Sequence, residues 1–141
     1  NARTPVQWDA SDNAGFTTGT PWIAVNPNYP VINASEQVGD PTSVFAYFKA
    51  LIELRHRLAV VANGSFERID AGSREIFAYR RVLGERELIV ISNLSSKDLA
   101  PVLPSDISEA ASEFVPVLTN ANVWEEMDAP LAPWRVRVFL R

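Results

Sequence analysis

The residues best suited to chemistry crowd the first forty positions. Arg3 opens the run, Asp9, Asp12, Glu36 and Asp40 supply carboxylates, and Trp8, Phe16, Trp22 and Tyr29 supply aromatic faces. A guanidinium offers five donors in a rigid plane, enough to hold two hydroxyl groups or one carboxylate. Each of these residues also has a structural use. Arg3 can pair with a nearby acid at the surface. Trp8 and Trp22 can anchor the segment, their indole N–H groups bonding loop carbonyls. Asp9 can pair with Arg3 or cap a turn, and Asn26-Pro27-Asn28 reads as turn chemistry. His56 is the sole histidine and stands between Arg55 and Arg57. A lone imidazole has no partner for a metal site or a nucleophilic triad, so His56 is expected on a helix surface.

The elements that must position these groups fall into three zones. Residues 1–40 show no sustained helix or strand period. A structureless stretch of that length is uncommon in a compact domain and is usually a functional loop or a linker. Linkers are poor in large aromatics, so this stretch should fold onto something. Residues 41–58 read as a helix, with Asp40 as N-cap and Pro41 at the first position, where a missing N–H costs nothing. Val44, Phe45, Phe48, Leu51, Ile52 and Leu58 form an apolar stripe at helical spacing that needs a covering surface. Asn63-Gly64 then signals a turn.

Beyond that turn the chain reads as strands. Ser65–Ile69, Glu75–Leu83, Glu87–Leu94, Ala100–Leu103, Phe114–Leu118 and Trp134–Leu140 have the length and alternation of strands. The run Leu88–Ile91 suggests a central strand buried on both faces. Arg80, Arg81, Arg135 and Arg137 read as solvated strand faces. Trp124, Trp134 and Tyr79 read as core or interface. Six or seven short strands suggest an antiparallel sandwich.

At 141 residues, with 47% apolar content, the chain fits one globular domain or a small domain plus an attachment. Its net charge of −4 argues against nucleic acid or an anionic membrane as partner. No apolar run has the length of a membrane span. Absence of cysteine excludes a disulfide scaffold and a thiolate metal site, and fits a reducing, cytoplasmic compartment. The first residue is Asn1 rather than Met, which implies a removed start and makes the missing targeting segment uninformative.

The opening string closely resembles the alpha-amylase family of glycoside hydrolases, in the branch of oligo-1,6-glucosidases, alpha-glucosidases and sucrose-isomerising enzymes. The matching residues are Asn1-Ala2-Arg3-Thr4-Pro5-Val6-Gln7-Trp8-Asp9, Asn13-Ala14-Gly15-Phe16-Thr17, Gly19-Thr20-Pro21-Trp22-Ile23, Val25-Asn26-Pro27-Asn28-Tyr29 and Ile32-Asn33. The family usually has Met at the position of Val6, a swap between apolar side chains. The resemblance continues through Ser43–Arg55, Ile76–Tyr79 and Leu88–Asn93, then fades.

The resemblance implies a mostly β fold: a C-terminal antiparallel β-sandwich over residues 62–141. Before it, residues 1–61 would be the tail of a (β/α)8 catalytic barrel, the loop after its eighth strand plus its last helix. It implies a C-terminal fragment of a retaining, exo-acting alpha-glucosidase. The catalytic acids of that family lie upstream, so no catalytic residue, cofactor or metal is expected on this chain, and the chain alone should be inactive. Retaining glycosidases place two carboxylates roughly 5 Å apart, and nothing in the sequence fixes such a pair here. Arg3 is the expected substrate-binding residue, since the arginine of this motif binds the non-reducing-end glucose. Trp8 and Trp22 either stack on sugars or anchor the loop. The expected partner is a small oligosaccharide, and the uncovered helix stripe should drive self-association. The competing reading is a non-catalytic β module that binds glycan or mediates assembly. Linkage preference, and isomerisation or trehalose-phosphate hydrolysis in place of hydrolysis of isomalto-oligosaccharides, depend on upstream loops.

Overall fold

The structure, a computed structural model, describes residues 3–141. The chain forms two compact units, one ending at Ile52 and one running from Glu53 to Arg141.

The first unit is held chiefly by polar turns. Trp8 N–H and Asp9 N–H both donate to Ala14 O, at 2.9 and 3.3 Å. That loop closes because Asn13, Ala14 and Gly15 are consecutively left-handed, with φ of 53°, 59° and 64°. Asparagine and glycine tolerate this region, whereas Ala14 is strained in it. Gly15 is required for space as well, because a Cβ there would lie 2.7 Å from Asp9 Oδ2. Asn13 Nδ2 bridges onward to Thr17 O and Gly19 O. Further along, Gln7 Nε2 donates to Asn28 Oδ1 at 3.0 Å and to Ile32 O. Ala34 N–H and Ser35 N–H return bonds to Gln7 O and Trp8 O.

A short helix, α1 (Ala34–Val38), breaks the expected long loop. Asn33 caps it, its Oδ1 accepting from Glu36 N–H at 3.0 Å while its Nδ2 donates to Tyr29 O. The main helix, α2, spans Val44–Arg57. Its N-cap is Ser43 rather than the expected Asp40. Ser43 Oγ accepts from Ala46 N–H at 3.1 Å, and Ser43 O accepts from Tyr47 N–H. Asp40 instead closes a turn on Thr42, so the chain is not yet helical at Pro41. The apolar stripe of α2 is uncovered in this chain: Val44 is 78% exposed and Phe48 62%.

The second unit contains the core. After α3 (Ala59–Asn63) come β1 (Glu67–Ile69), β2 (Ile76–Leu83) and β3 (Arg86–Asn93), then α4 (Ser105–Ser108), β4 (Val115–Thr119) and β5 (Val136–Leu140). All strand pairs are antiparallel, in the order β1-β2-β3-β5-β4. The chain is thus mostly antiparallel sheet, as the sequence reading requires. Among the described residues this is one five-stranded sheet with an isolated Leu99–Leu131 bridge, rather than the two sheets of a sandwich. The segment expected as a strand at Ala100–Leu103 pairs only through Val102 N–H to Ala71 O. Pro101 within it and Pro104 just after it remove ladder donors.

β3 lies at the centre and is buried from Glu87 through Asn93, as its continuous apolar run predicts. Its register with β5 pairs Ile89 with Phe139 and Ile91 with Arg137 on one face, and Leu88 with Leu140 and Val90 with Val138 on the other. The first face carries the main core with Ile69, Ile76, Ala78, Ile107, Met127 and Leu131. α3 packs over β2 and β3, and Arg81 ends it by donating to Val61 O, Gly64 O and Ser65 O.

The arginine-bearing face of β5 is the core face, which overturns its reading as solvated. Arg137 is 2% exposed. Its Nε and Nη2 hold Glu125 Oε2 at 3.0 and 2.8 Å, Nη1 donates to Glu126 O and Ala129 O, and Nη2 to Pro130 O. The segment before β5 folds back across the sheet, and its carbonyls need donors that no strand supplies. Arg80 is likewise tied down, doubly to Glu67 and at 2.6 Å to Asp106. Those carboxylates hold its guanidinium protonated more firmly than usual. Trp124 and Trp134 are not in the core, being 59% and 61% exposed. Tyr79 is half-buried and packs on Phe66 and Phe77 with ring centroids 5.2 and 5.6 Å away.

Replacing Arg137 with Leu should cost about 3–5 kcal/mol, because it takes the buried donors from the carbonyls of Glu126, Ala129 and Pro130 and leaves Glu125 only its longer ion pair with Arg135, at 3.8 Å. Urea denaturation measures this; a loss below about 1 kcal/mol would show that the network contributes little.

Candidate functional site

In the first unit the structure brings Arg3 and Trp22 together. The Arg3 guanidinium carbon lies 4.7 Å from the centroid of the Trp22 ring. This is a cation–π contact, worth about 0.5–1 kcal/mol where solvent reaches it. Trp22 is 72% exposed, and Arg3 is exposed as well. The contact orients the guanidinium plane beside an open indole. That pairing spans nineteen positions, and no local sequence pattern announces it.

The other aromatic groups do not join a buried site. Trp8 is fixed through its backbone, by its N–H to Ala14 O and by Ser35 N–H to its carbonyl. Its side chain is still 54% exposed. The indoles of Trp8 and Trp22 are therefore open, and at Trp8 it is the main chain that anchors the loop.

The carboxylates serve their own turns. Asp9 Oδ1 accepts from Ser11 N–H at 2.8 Å and from Ser11 Oγ. The hydroxyl bond, then the backbone bond, hold the Asp9 carboxyl below its ordinary range. Asp40 Oδ1 accepts from Thr42 Oγ1 at 2.7 Å and Thr42 N–H at 2.8 Å, with the same effect. A carboxylate tied this way is a poor proton donor near neutral pH, which suits capping rather than acid catalysis. Asp12 begins the left-handed turn, and Glu36 lies in the first turn of α1. His56 is exposed on α2, as expected for a helix-surface residue. Among the described residues, no group of three or more His, Asp or Glu side chains is placed to hold a metal ion.

In chemical terms, the first unit presents an oriented cation next to an open aromatic face, on a loop with a strained left-handed turn. Such a surface can bind hydroxyl groups and stack on a ring.

Comparison with known proteins agrees with the loop motif. Residues 1–64 match the alpha amylase catalytic-domain family. An oligo-1,6-glucosidase of Parageobacillus thermoglucosidasius is 44% identical over 99% of this chain and 25% of its own length. The solved trehalose-6-phosphate hydrolase of Bacillus licheniformis superposes with a TM-score of 0.87 at 36% identity, covering 99% of this chain and 26% of that one. A solved trehalulose synthase superposes with a TM-score of 0.87 at 34% identity, over 100% of this chain and 26% of that one. The chain thus spans about a quarter of the length of the relatives it matches. With the motif residues, the fold and relatives aligned along nearly its whole length in agreement, the chain belongs to the alpha-amylase family of glycoside hydrolases, in the oligo-1,6-glucosidase and alpha-glucosidase branch.

Proposed function

We propose that this chain is part of a retaining, exo-acting alpha-glucosidase that hydrolyses isomalto-oligosaccharides and related alpha-glucosides. The observation that carries this reading is the 44% identity to an oligo-1,6-glucosidase along almost every residue of the chain. In such an enzyme one carboxylate attacks the anomeric carbon, and water resolves the glucosyl-enzyme with help from the second. We assign both carboxylates to parts of the protein outside this chain; within the first unit Asp9 and Asp40 are spent on local turns.

Within this proposal, residues 1–61 are the tail of the catalytic barrel and 62–141 the C-terminal β domain. The family match over residues 1–64 supports that division. Barrel enzymes of this kind build their sites from loops at the C-terminal ends of strands. Arg3 binds the terminal glucose there, and its contact with Trp22 preorients the guanidinium. The exposed stripe at Val44, Phe48 and Ile52 packs on the barrel in the whole protein and, in the isolated chain, on a second copy. A cytoplasmic setting suits a chain without cysteine. Among the described residues no helix is long and apolar enough to cross a membrane.

A second reading within the same family is hydrolysis of a phosphorylated trehalose or isomerisation of sucrose. It is favoured by the superposition on a trehalose-6-phosphate hydrolase and a trehalulose synthase. A third, of another class, is a non-catalytic module that binds glycan or mediates assembly.

The 141-residue chain should show no turnover of p-nitrophenyl alpha-glucoside; measurable hydrolysis would place catalytic acids on it. In the full-length enzyme, Arg3→Ala should lower kcat/KM by roughly ten- to a hundredfold, as expected for loss of about 1.5–3 kcal/mol of charge-assisted hydrogen bonding. An unchanged kcat/KM with isomaltose removes Arg3 from the substrate site. Sedimentation of the isolated chain should show dimers or larger species as concentration rises, and a monomer throughout would refute the packing assigned to α2.

A further inference from the structure

Trp124 stands on the segment that joins β4 to β5, well away in sequence from Arg3. It borders two concavities at once. One, about 330 Å³, is also lined by Val117, Thr119, Asn122 and Val123. The other, about 130 Å³, runs past Phe114, Pro116 and Glu126. The larger falls within the size range of small-molecule sites, roughly 300–1,000 Å³.

Three features bear on what such a surface binds. First, Trp124 is 59% exposed, so its ring is available rather than consumed by the core. Second, the linings carry amide, hydroxyl and carboxylate groups beside apolar ones, and no lysine or arginine. The nearest cations are engaged elsewhere: Arg137 pairs with Glu125 and Arg141 with Glu87 and Glu113. A neutral ring with apolar C–H faces and hydroxyl edges matches both the indole and the acceptor-rich rim.

Third, the segment is pinned. Arg137 grips Glu125, the next residue, and holds Glu126 O, Ala129 O and Pro130 O. On the other side Asn120 donates to Trp134 O at 2.7 Å and accepts from Val136 N–H at 2.9 Å. An exposed indole on a freely moving loop would lose affinity to ordering, whereas this one is held in place beforehand.

We propose that Trp124 is the platform of a carbohydrate site on the β domain, separate from Arg3. It stacks a neutral pyranose ring, with Thr119 and Asn122, which line the larger concavity, and Glu126, which lines the smaller, available for hydroxyl groups. The function of such a site is to retain a glucan chain rather than to cleave it. The inference uses the alpha-glucoside reading only to choose the probe.

The test follows indole and backbone amide signals of the 15N-labelled 141-residue chain during titration with isomaltotriose. We expect saturable shifts at the Trp124 indole and the Asn122 amide in the millimolar range. Trp124→Ala, at an exposed position that leaves the core intact, should weaken binding at least tenfold, and Trp124→Phe should retain part of it. Arg3→Ala should leave the Trp124 shifts unchanged, which separates this site from the proposed substrate site. No saturable shift at Trp124 overturns the proposal, including the outcome that the indole is covered by a second copy of the chain. So does equal response to glycerol, or undiminished binding in Trp124→Ala.

Discussion

One guanidinium organises the end of the chain. Arg137 points into the core face of the sheet, between Ile91 of the central strand and the segment that covers it. A buried charge of this kind is tolerable only if its donors are met and its charge is balanced. Arginine has five N–H donors, and here Glu125 takes two while the carbonyls of Glu126, Ala129 and Pro130 take three. The dependence is mutual. Residues 125–130 form no regular structure, so their carbonyls have no ladder partners, and Arg137 supplies them. Once that segment is fixed, Met127 and Leu131 reach the core and Leu99 can bridge Leu131.

The same device recurs. Asn93 is fully buried and donates to Lys97 O, Leu131 O and Ala132 O, while its Oδ1 accepts from Ser95 N–H and Ser95 Oγ. Arg81 holds three carbonyls where α3 ends. Polar side chains carried by the two central ladders thus stand in for missing secondary structure in the connections. Among the described residues no buried side-chain nitrogen or oxygen is left without a partner. The unit ending at Ile52 works differently. Its turns are closed by Asp9, Asn13, Asn33 and Asp40, and its large apolar residues stay exposed. Such a unit is ordered by local hydrogen bonds and keeps its apolar surface for something else to cover.

Much of this was legible from local pattern. The continuous apolar run at Leu88–Ile91 announced the central strand, and the stripe from Val44 to Leu58 announced the main helix. The loop motif announced the family. Where the pattern misled, a competing contact or a missing donor outweighed it. Asp40 looked like the cap of α2, but its carboxylate closes a turn on Thr42 and leaves capping to Ser43. Ala100–Leu103 looked like a strand, but Pro101 within it and Pro104 after it leave it without a ladder. Arg135 and Arg137 alternate with valines in the manner of a solvated face. The alternation was real, but both faces of β5 turn out to be covered, and the partners of Arg137 lie seven to twelve residues away in a loop that no periodicity describes.

At the candidate sites the division is similar. Arg3 and its motif were recognisable one residue at a time, because the chemistry of a guanidinium beside aromatic residues is written in their types. That Trp22 is the ring beneath Arg3, that Asp9 is engaged by Ser11, and that Trp124 is exposed between two concavities were decided by folding. The amino-acid sequence by itself determined the main helix, the central strand and membership of the family, all of which rest on neighbours within a few positions. Tertiary structure decided which face of β5 is dry, which carbonyls Arg137 satisfies, and which aromatic rings remain open to a ligand. Those outcomes depend on the desolvation of groups brought together from distant positions, and a charged side chain carries no local mark of whether its partner will be water or a carbonyl.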